Sequence, residues 1–455
     1  MKTILTLFIL FTALNSFAQI KFVDNIGWEE ASRRAKAEKK LVFLHLEDSK
    51  CQQCSDVATQ GFASAILKEK FEQNFISLRA NVETERGSKL MKQFEVKQPM
   101  VSLFIDPDGN ILNRHSGTTS AGFIYAEQAD IALSRRGGKK LSDFEKEYKS
   151  GKRSPEFLKE YMAKRKELSQ PVDDLLDVYV GQLVIDSLRT FPTVKYIYMQ
   201  GPTMDSRAYR LIQAVAEFGF MDSLYKASSY EERTAMNGAI INSTFRKAVD
   251  KKDVSLAYQA SGFIQNGFGK DYAKGQLSSN RSIARFFYSI KDTASFISQA
   301  SMLVENSLIK VSLDSLKRMD DYEMKHQTFS QPAVGQQQPL NNTFRFAPPS
   351  QHYHIELNEN AWHFFEMANQ KDDLERALRW SEQSIFLFDE LNKDKNHPMK
   401  LGNPAYLDTY AQLLYKLGRK AEAIKWQTKA VEAQKITGNS AGSLEETLSK
   451  MKAGK

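Results

Sequence analysis

The sequence predicts an α/β domain at the start of the chain, followed by a mostly α-helical region. Three observations carry this expectation. Between residues 19 and 138, short runs rich in β-branched and aromatic residues alternate with amphipathic segments. Beyond Gly138 the strand signals fade, and apolar residues recur at three and four spacing. From residue 352 onward a helix-turn-helix pattern is met more than once.

With 455 residues the chain exceeds one core and calls for about two or three domains. Hydrophobic residues at 42% and charged residues at 26% are ordinary for a folded protein. The formal charge of +8 is spread over interleaved Lys, Arg, Asp and Glu, which fits a solvated surface and argues against a nucleic-acid partner.

Residues 1–18 have the build of a secretory signal: Lys2 precedes an apolar run over 4–14, and Ser16-Phe17-Ala18 places small residues for cleavage after Ala18. The run is shorter than the about 20 apolar residues of a membrane span, and no Cys follows it to take a lipid. The expectation is an exported, soluble, periplasmic protein with no integral membrane segment.

In the α/β domain, Trp28, Ala31 and Ala35 among many charges predict a helix over 26–39. A strand follows over 41–46, then a polar turn over 47–50 and a helix over 51–70. A second strand is predicted over 75–82 and a short helix over 87–94. The third strand, 100–105, is joined through Asp106-Pro107-Asp108-Gly109 to a fourth over 110–115. A helix over 120–136 closes the domain.

The chain's two cysteines share one tetrapeptide, Cys51-Gln52-Gln53-Cys54. Structural disulfides in exported proteins close long loops, and so small a ring adds little, so redox exchange is the expected purpose. A cysteine at the start of a helix meets unpaired N–H groups and the positive end of the dipole, which favours its thiolate. Cys51 is therefore the expected nucleophile, and Cys54, one turn on, the resolving thiol. Half a zinc site is the competing reading, but tetrahedral zinc takes about four ligands and no further cysteine exists. No metal and no cofactor are expected.

Residues 20–137 resemble the thioredoxin superfamily. The resemblance rests on the strand before Cys51, the Cys51/Cys54 motif, Pro99 before a strand, the Asp108-Gly109 turn and Gly117 after the last strand. The run from Cys51 to Asp56, followed by Gly61-Phe62, is most similar to the C-terminal domain of bacterial thiol:disulfide interchange proteins. The resemblance implies that Pro99 is cis and faces the sulfurs, and that the backbone of Gln98 pairs with an extended substrate chain.

Departures from the family pattern bear on the chemistry. Lys50 stands where a tryptophan is usual, Gln52-Gln53 replace Gly-Pro, and His45 takes the place of a buried acid. A strong reductant is then no longer implied. His45 shares a strand face with Leu41 and Phe43, so a core histidine and a proton relay both fit it. Lys50 is either a solvated turn residue or a tuning charge, and an ordinary trans turn proline is the alternative for Pro99, whose place right before a strand favours the family role.

Beyond 138, segments over 141–167, 173–188, 207–218 and 230–249 read as helices, forming a helical domain over 139–327. Gln, Pro and Asn dominate 328–351, which reads as a linker or loop. Residues 352–455 resemble tetratricopeptide repeats. Tyr406, Leu407, Tyr410, Ala411 and Leu414, then Gly418, then Ala423, Trp426, Ala430 and Val431 follow that pattern, with a weaker copy through Trp362, Phe364, Phe365, Ala368, Ala377, Trp380, Ser384 and Ile385. The four tryptophans, Trp28 among them, read as core. A metal at His352 and His354 lacks supporting carboxylates or cysteines.

Two functions are expected to compete. One is an extracytoplasmic thiol-disulfide oxidoreductase whose partners are protein or peptide thiols and disulfides and a redox partner protein. The other is a binding or assembly module whose repeats hold a peptide or protein ligand while the first domain serves as scaffold.

Overall fold

A computed structural model describes residues 19–23, 25–49, 51–326, 349–393, 399–438 and 440–454. The expected signal over 1–18, Lys50 and the linker up to residue 348 lie outside the described residues. The chain divides into two compact units, residues 1–182 and 183–455.

In the first unit a four-stranded sheet is built from β1 (Leu41–Glu47), β2 (Phe75–Asn81), β3 (Val101–Ile105) and β4 (Ile111–Ser116), in the order β2-β1-β3-β4. Strand β1 runs parallel to β2 and antiparallel to β3, and β3 is antiparallel to β4. Because β1 is central and covered on both faces, its first six residues are all buried, which is why it reads as an apolar run interrupted only by His45. The parallel partner β2 lies beyond two helices, and β4 is reached from β3 through the Asp106 turn. There the Asp106 carboxylate accepts from the N–H groups of Asp108 and Asn110, each at 2.9 Å, and Gly109 takes φ 92.

Five helices cover the sheet: α1 (Trp28–Ala37), α2 (Gln52–Phe62), α3 (Ala65–Asn74), α4 (Glu85–Gln93) and α5 (Gly122–Ser134). One face, with Leu41, Phe43, Phe75 and Phe104, packs on Ala58 and Phe62 of α2, Phe71 of α3 and Tyr125 and Ala129 of α5. The other, with Val42, Leu44, Leu78 and Leu103, packs on Ala31, Ala35, Leu90 and Phe94. Ile20 is buried at the edge of the first core, and its N–H donates to the Phe62 carbonyl at 3.0 Å.

The helix expected over 51–70 is in fact two, broken at Ala63-Ser64. The reason lies far along the chain: a Cβ on Gly61 would stand 2.2 Å from the Thr119 carbonyl oxygen, and one on Gly122 would stand 2.3 Å from Ser64 Cβ. Two glycines thus let the α2–α3 junction press against the loop entering α5. The segment 141–167 likewise divides, into α6 (Leu141–Lys149) and α7 (Pro155–Glu167). Gly151 turns the chain at φ 100, Ser154 caps α7 by accepting from the Phe157 N–H at 3.3 Å, and Pro155 fills the first turn. Helix α8 is Asp173–Val180, shorter than the predicted segment, which ends in a separate 3₁₀ turn over Ile185–Arg189.

The second unit is helical among its described residues. Helices α9 to α16 are Phe191–Gln200, Arg207–Val215, Phe220–Lys226, Tyr230–Lys251, Val254–Gly267, Tyr272–Ser289, Thr293–Leu303 and Leu313–His326. Helices α17 to α21 are Pro349–Met367, Lys371–Asn392, Pro404–Lys416, Lys420–Ile436 and Gly442–Lys452. The last three residues expected in the linker, Pro349 to Gln351, open α17, where the Ser350 hydroxyl donates to the Asp320 carboxylate at 2.6 Å. From α12 to α15 and again from α16 to α21 each helix packs on its neighbour in the chain, and one apolar cluster runs from Ala248 to Met451. Trp380 is fully buried in it, Trp426 meets Tyr410 edge-on at 4.8 Å, and Trp362 and Phe365 lie 5.0 Å apart. No helix among the described residues is long and apolar enough to cross a membrane.

Candidate functional site

Strand β1 delivers the chain to the sulfurs. After Glu47 the backbone turns, the Cys51 N–H donates to the Asp48 carbonyl at 3.3 Å, and Cys51 becomes the N-cap of α2. Its Sγ accepts from the Cys54 N–H at 3.3 Å, the place an Asp or Ser oxygen takes at an ordinary cap. Cys51 and Cys54 are joined as a disulfide, with Cα atoms 5.2 Å apart, and both are half-buried. One sulfur is therefore a helix cap, where the dipole and free N–H groups stabilise negative charge once the bond opens.

On the sheet face that α2 covers, one row of cross-strand partners is polar. It runs Arg79 on β2, His45 on β1, Ser102 on β3 and His115 on β4. His45 and Ser102 are fully buried, and His45 Nδ1 lies 2.9 Å from Ser102 Oγ. His45 Nε2 is buried without a hydrogen-bond partner among the described residues, and the ring meets Phe62 of α2 edge-on at 5.0 Å. Burial, with the Arg79 and His115 charges adding to it, pushes the His45 imidazole down to about 3. The ring is thus neutral at physiological pH. His115 is half-buried, is pushed down by burial, and lies edge-on to Tyr125 at 5.5 Å.

Arg79 was missed by sequence reasoning. It donates to Glu47 Oε2 from Nε at 2.9 Å and from Nη2 at 2.6 Å, and Nη2 also reaches the Ser55 carbonyl at 3.4 Å. Ser55 directly follows Cys54, so one guanidinium ties the end of β1 to the first turn of α2. The available signal was a lone cation inside an otherwise apolar strand, on the same alternation face as Phe75. Ser102 was missed too, because a serine within an apolar strand carries no sequence mark of its partner.

Gln98 and Pro99 lie in the bend before β3, Gln98 exposed and Pro99 half-buried. Among the described residues the Gln98 main chain has no backbone partner. The Gln98–Pro99 peptide is trans, against the expectation drawn from the resemblance. The chain reverses instead at Met100, which takes φ 60 and whose carbonyl accepts from the Gly117 N–H at 2.7 Å. Lys50 lies outside the described residues.

Other residues weighed for chemistry stand elsewhere. His354 is buried in α17 with Nδ1 2.7 Å from the Tyr406 hydroxyl. His352 borders an open groove of the second unit. Among the described residues no group of three or more His, Cys, Asp or Glu side chains is placed to hold a metal ion.

A protein-family model described as thioredoxin-like matches residues 24–107, from the approach to α1 through the turn after β3. No curated protein matches the chain. The match covers the sheet's first three strands and both cysteines.

Proposed function

We propose, on the premise that residues 24–107 are a thioredoxin-like domain with a bridged Cys51–Cys54 pair, that the protein is an extracytoplasmic thiol-disulfide oxidoreductase acting on protein or peptide substrates. The observation that carries this reading is the position of the pair: the chain's two cysteines are joined at the N-terminus of a helix, with one sulfur as its cap. In the reducing direction the Cys51 thiolate attacks one sulfur of a substrate disulfide. The substrate's other sulfur leaves as a thiolate and takes a proton. Cys54, deprotonated, then attacks Cys51 Sγ, so the second substrate thiol departs and the protein pair is oxidised by two electrons. The oxidising direction is the same sequence reversed.

In this reading the neutral His45 tunes the surroundings of the pair from the sheet behind α2, Lys50 tunes the charge beside Cys51, and the backbone at Gln98 and Pro99 aligns the substrate strand. The helical unit selects partners, among them a redox protein that resets the pair. The trans peptide before Pro99 does not remove this role, because the exposed Gln98 backbone is what an extended substrate would pair with. Export follows from the signal pattern over 1–18.

The test is direct. Purified protein is offered a model peptide disulfide and a model dithiol, and Cys54→Ser is used to capture mixed disulfides in extracts of the exported fraction. Absence of both exchange and capture would remove the proposal.

A second reading has its own observation. An open groove of about 1200 Å³ lies between α14, α16 and α17, lined in part by Arg281, Arg285, Tyr322 and Tyr353. In that reading the helical unit binds a protein or peptide and the first domain is a scaffold. It gains ground if a variant carrying Cys51→Ser and Cys54→Ser captures the same partners as the native chain.

A further inference from the structure

We propose that Arg79 is a positioning residue for the Cys51–Cys54 couple: by holding the Glu47 carboxylate and the Ser55 carbonyl on one guanidinium, it keeps a fixed cation beside the first turn of α2 and biases the couple toward its dithiol form. The inference rests on the redox reading of the pair and adds a determinant of its potential.

The geometry has three parts. Arg79 is held by its strand, where it faces His45 across the parallel β1–β2 register, so its side chain leaves the sheet on the face that α2 covers. The fork to Glu47 is a bidentate contact onto a single oxygen, at 2.9 and 2.6 Å, with both side chains mostly buried. The contact to the Ser55 carbonyl then sets that cation at the helix turn occupied by Cys51 and Cys54. A guanidinium keeps its charge at every relevant pH. Its field adds to that of the helix N-terminus, and both stabilise a thiolate more than a disulfide sulfur.

Apart from Glu47, the groups on this row stay neutral. His45 and His115, on the same row, are pushed toward their neutral forms by burial, and the buried Tyr125 hydroxyl is pushed up, so it too stays neutral. The Glu47 carboxylate opposes part of the Arg79 field, while the Ser55 contact holds the guanidinium on the helix turn. Asp48 and Asp56, which flank the cysteines in the chain, have interactions of their own. Removing Arg79 would leave the Glu47 carboxylate near the turn with no cation to answer it, so the sulfurs would lose the field of one positive charge and feel that carboxylate unopposed.

The experiment uses the full chain and three variants, Arg79→Met, Arg79→Lys and Glu47→Gln. Each is equilibrated with glutathione and its disulfide, the protein pair plus two glutathione thiols giving the dithiol plus one glutathione disulfide, and the fraction reduced is read by thiol alkylation. The Cys51 titration is followed separately by thiolate absorbance. Arg79→Met is expected to raise the Cys51 pKa by about one unit and to shift the equilibrium toward the disulfide roughly tenfold. Arg79→Lys recovers part of both shifts, because it restores charge without the fork. Glu47→Gln moves both the other way, and it decides the matter if Arg79→Met fails to fold. Coincidence of these variants with the native chain overturns the inference, as does a shift in Arg79→Met that Arg79→Lys does not lessen. If the native chain itself reaches no equilibrium with glutathione, it is the redox reading that falls.

Discussion

His45 Nδ1 lies 2.9 Å from Ser102 Oγ in the middle of the sheet, while Nε2 of the same ring has no hydrogen-bond partner among the described residues. A buried polar atom left unpaired costs about 1–3 kcal/mol, and folds avoid such atoms unless something else is served. Holding a neutral imidazole behind the helix of the cysteines is a use that fits the cost.

This burial makes stability depend on pH. In the unfolded chain the imidazole binds a proton below its ordinary value near 6.5, whereas in the folded protein it resists protonation until about 3. The stability it contributes is complete above 6.5 and is lost as pH falls from there toward 3, by at most about 1.4 kcal/mol per pH unit. Urea unfolding between these limits should show a shallower acid slope in His45→Leu than in the native chain. Equal slopes would mean that the folded protein protonates His45 readily.

Gly61 offers a test of the packing that splits the predicted helix. A methyl there meets the Thr119 carbonyl oxygen and Tyr125 Cε2 at 2.2 and 2.8 Å. Gly61→Ala should therefore destabilise the protein by about 1–3 kcal/mol despite the better helix propensity of alanine. Gly238, within α12, has nothing within 4 Å of its added Cβ, so Gly238→Ala should stabilise by up to about 1 kcal/mol. Melting temperatures moving in the same direction for both would show that close approach at Gly61 is not what demands glycine.

These cases show what was legible in the sequence. The strand β1 was plain because burial on both faces leaves six consecutive buried residues, and the cysteines were plain because their spacing is local. The break after Phe62 was not, since it depends on Thr119 and Gly122, whose approach no nearby residue encodes. Arg79 shows the same limit: alternation gave its face, but its two acceptors lie on β1 and α2. Pro99 shows the opposite error, a family feature carried onto a bend that turns at Met100 instead.

The disulfide should matter little to stability. Chain-entropy reasoning for so small a ring gives about 2 kcal/mol at most, and a hydroxyl at position 51 can accept at the cap in place of the sulfur. Replacing both cysteines, with Cys51→Ser and Cys54→Ser together, should lower unfolding free energy by no more than that while abolishing thiol exchange. A loss of about 4 kcal/mol or more in urea unfolding would instead mark the bond as a structural staple.

Trp380 separates packing from binding in the helical unit. The indole is fully buried, meets Phe364 edge-on at 4.7 Å, and donates from Nε1 to Glu305 at 2.8 Å. The indole itself is enclosed in the apolar cluster, so the ring has no face left for a ligand. Trp380→Phe should cost about 0.5–1.5 kcal/mol for the lost hydrogen bond, since Glu305 is only partly buried and keeps Arg379 at 3.8 Å. Trp380→Ala should cost about 3–5 kcal/mol, the price of emptying an aromatic site in a packed core. Chemical unfolding followed by circular dichroism measures both. If Trp380→Ala left stability unchanged, the residue would have to be recast as part of a binding surface, and the helical pairing of α17 with α18 would lose its central contact.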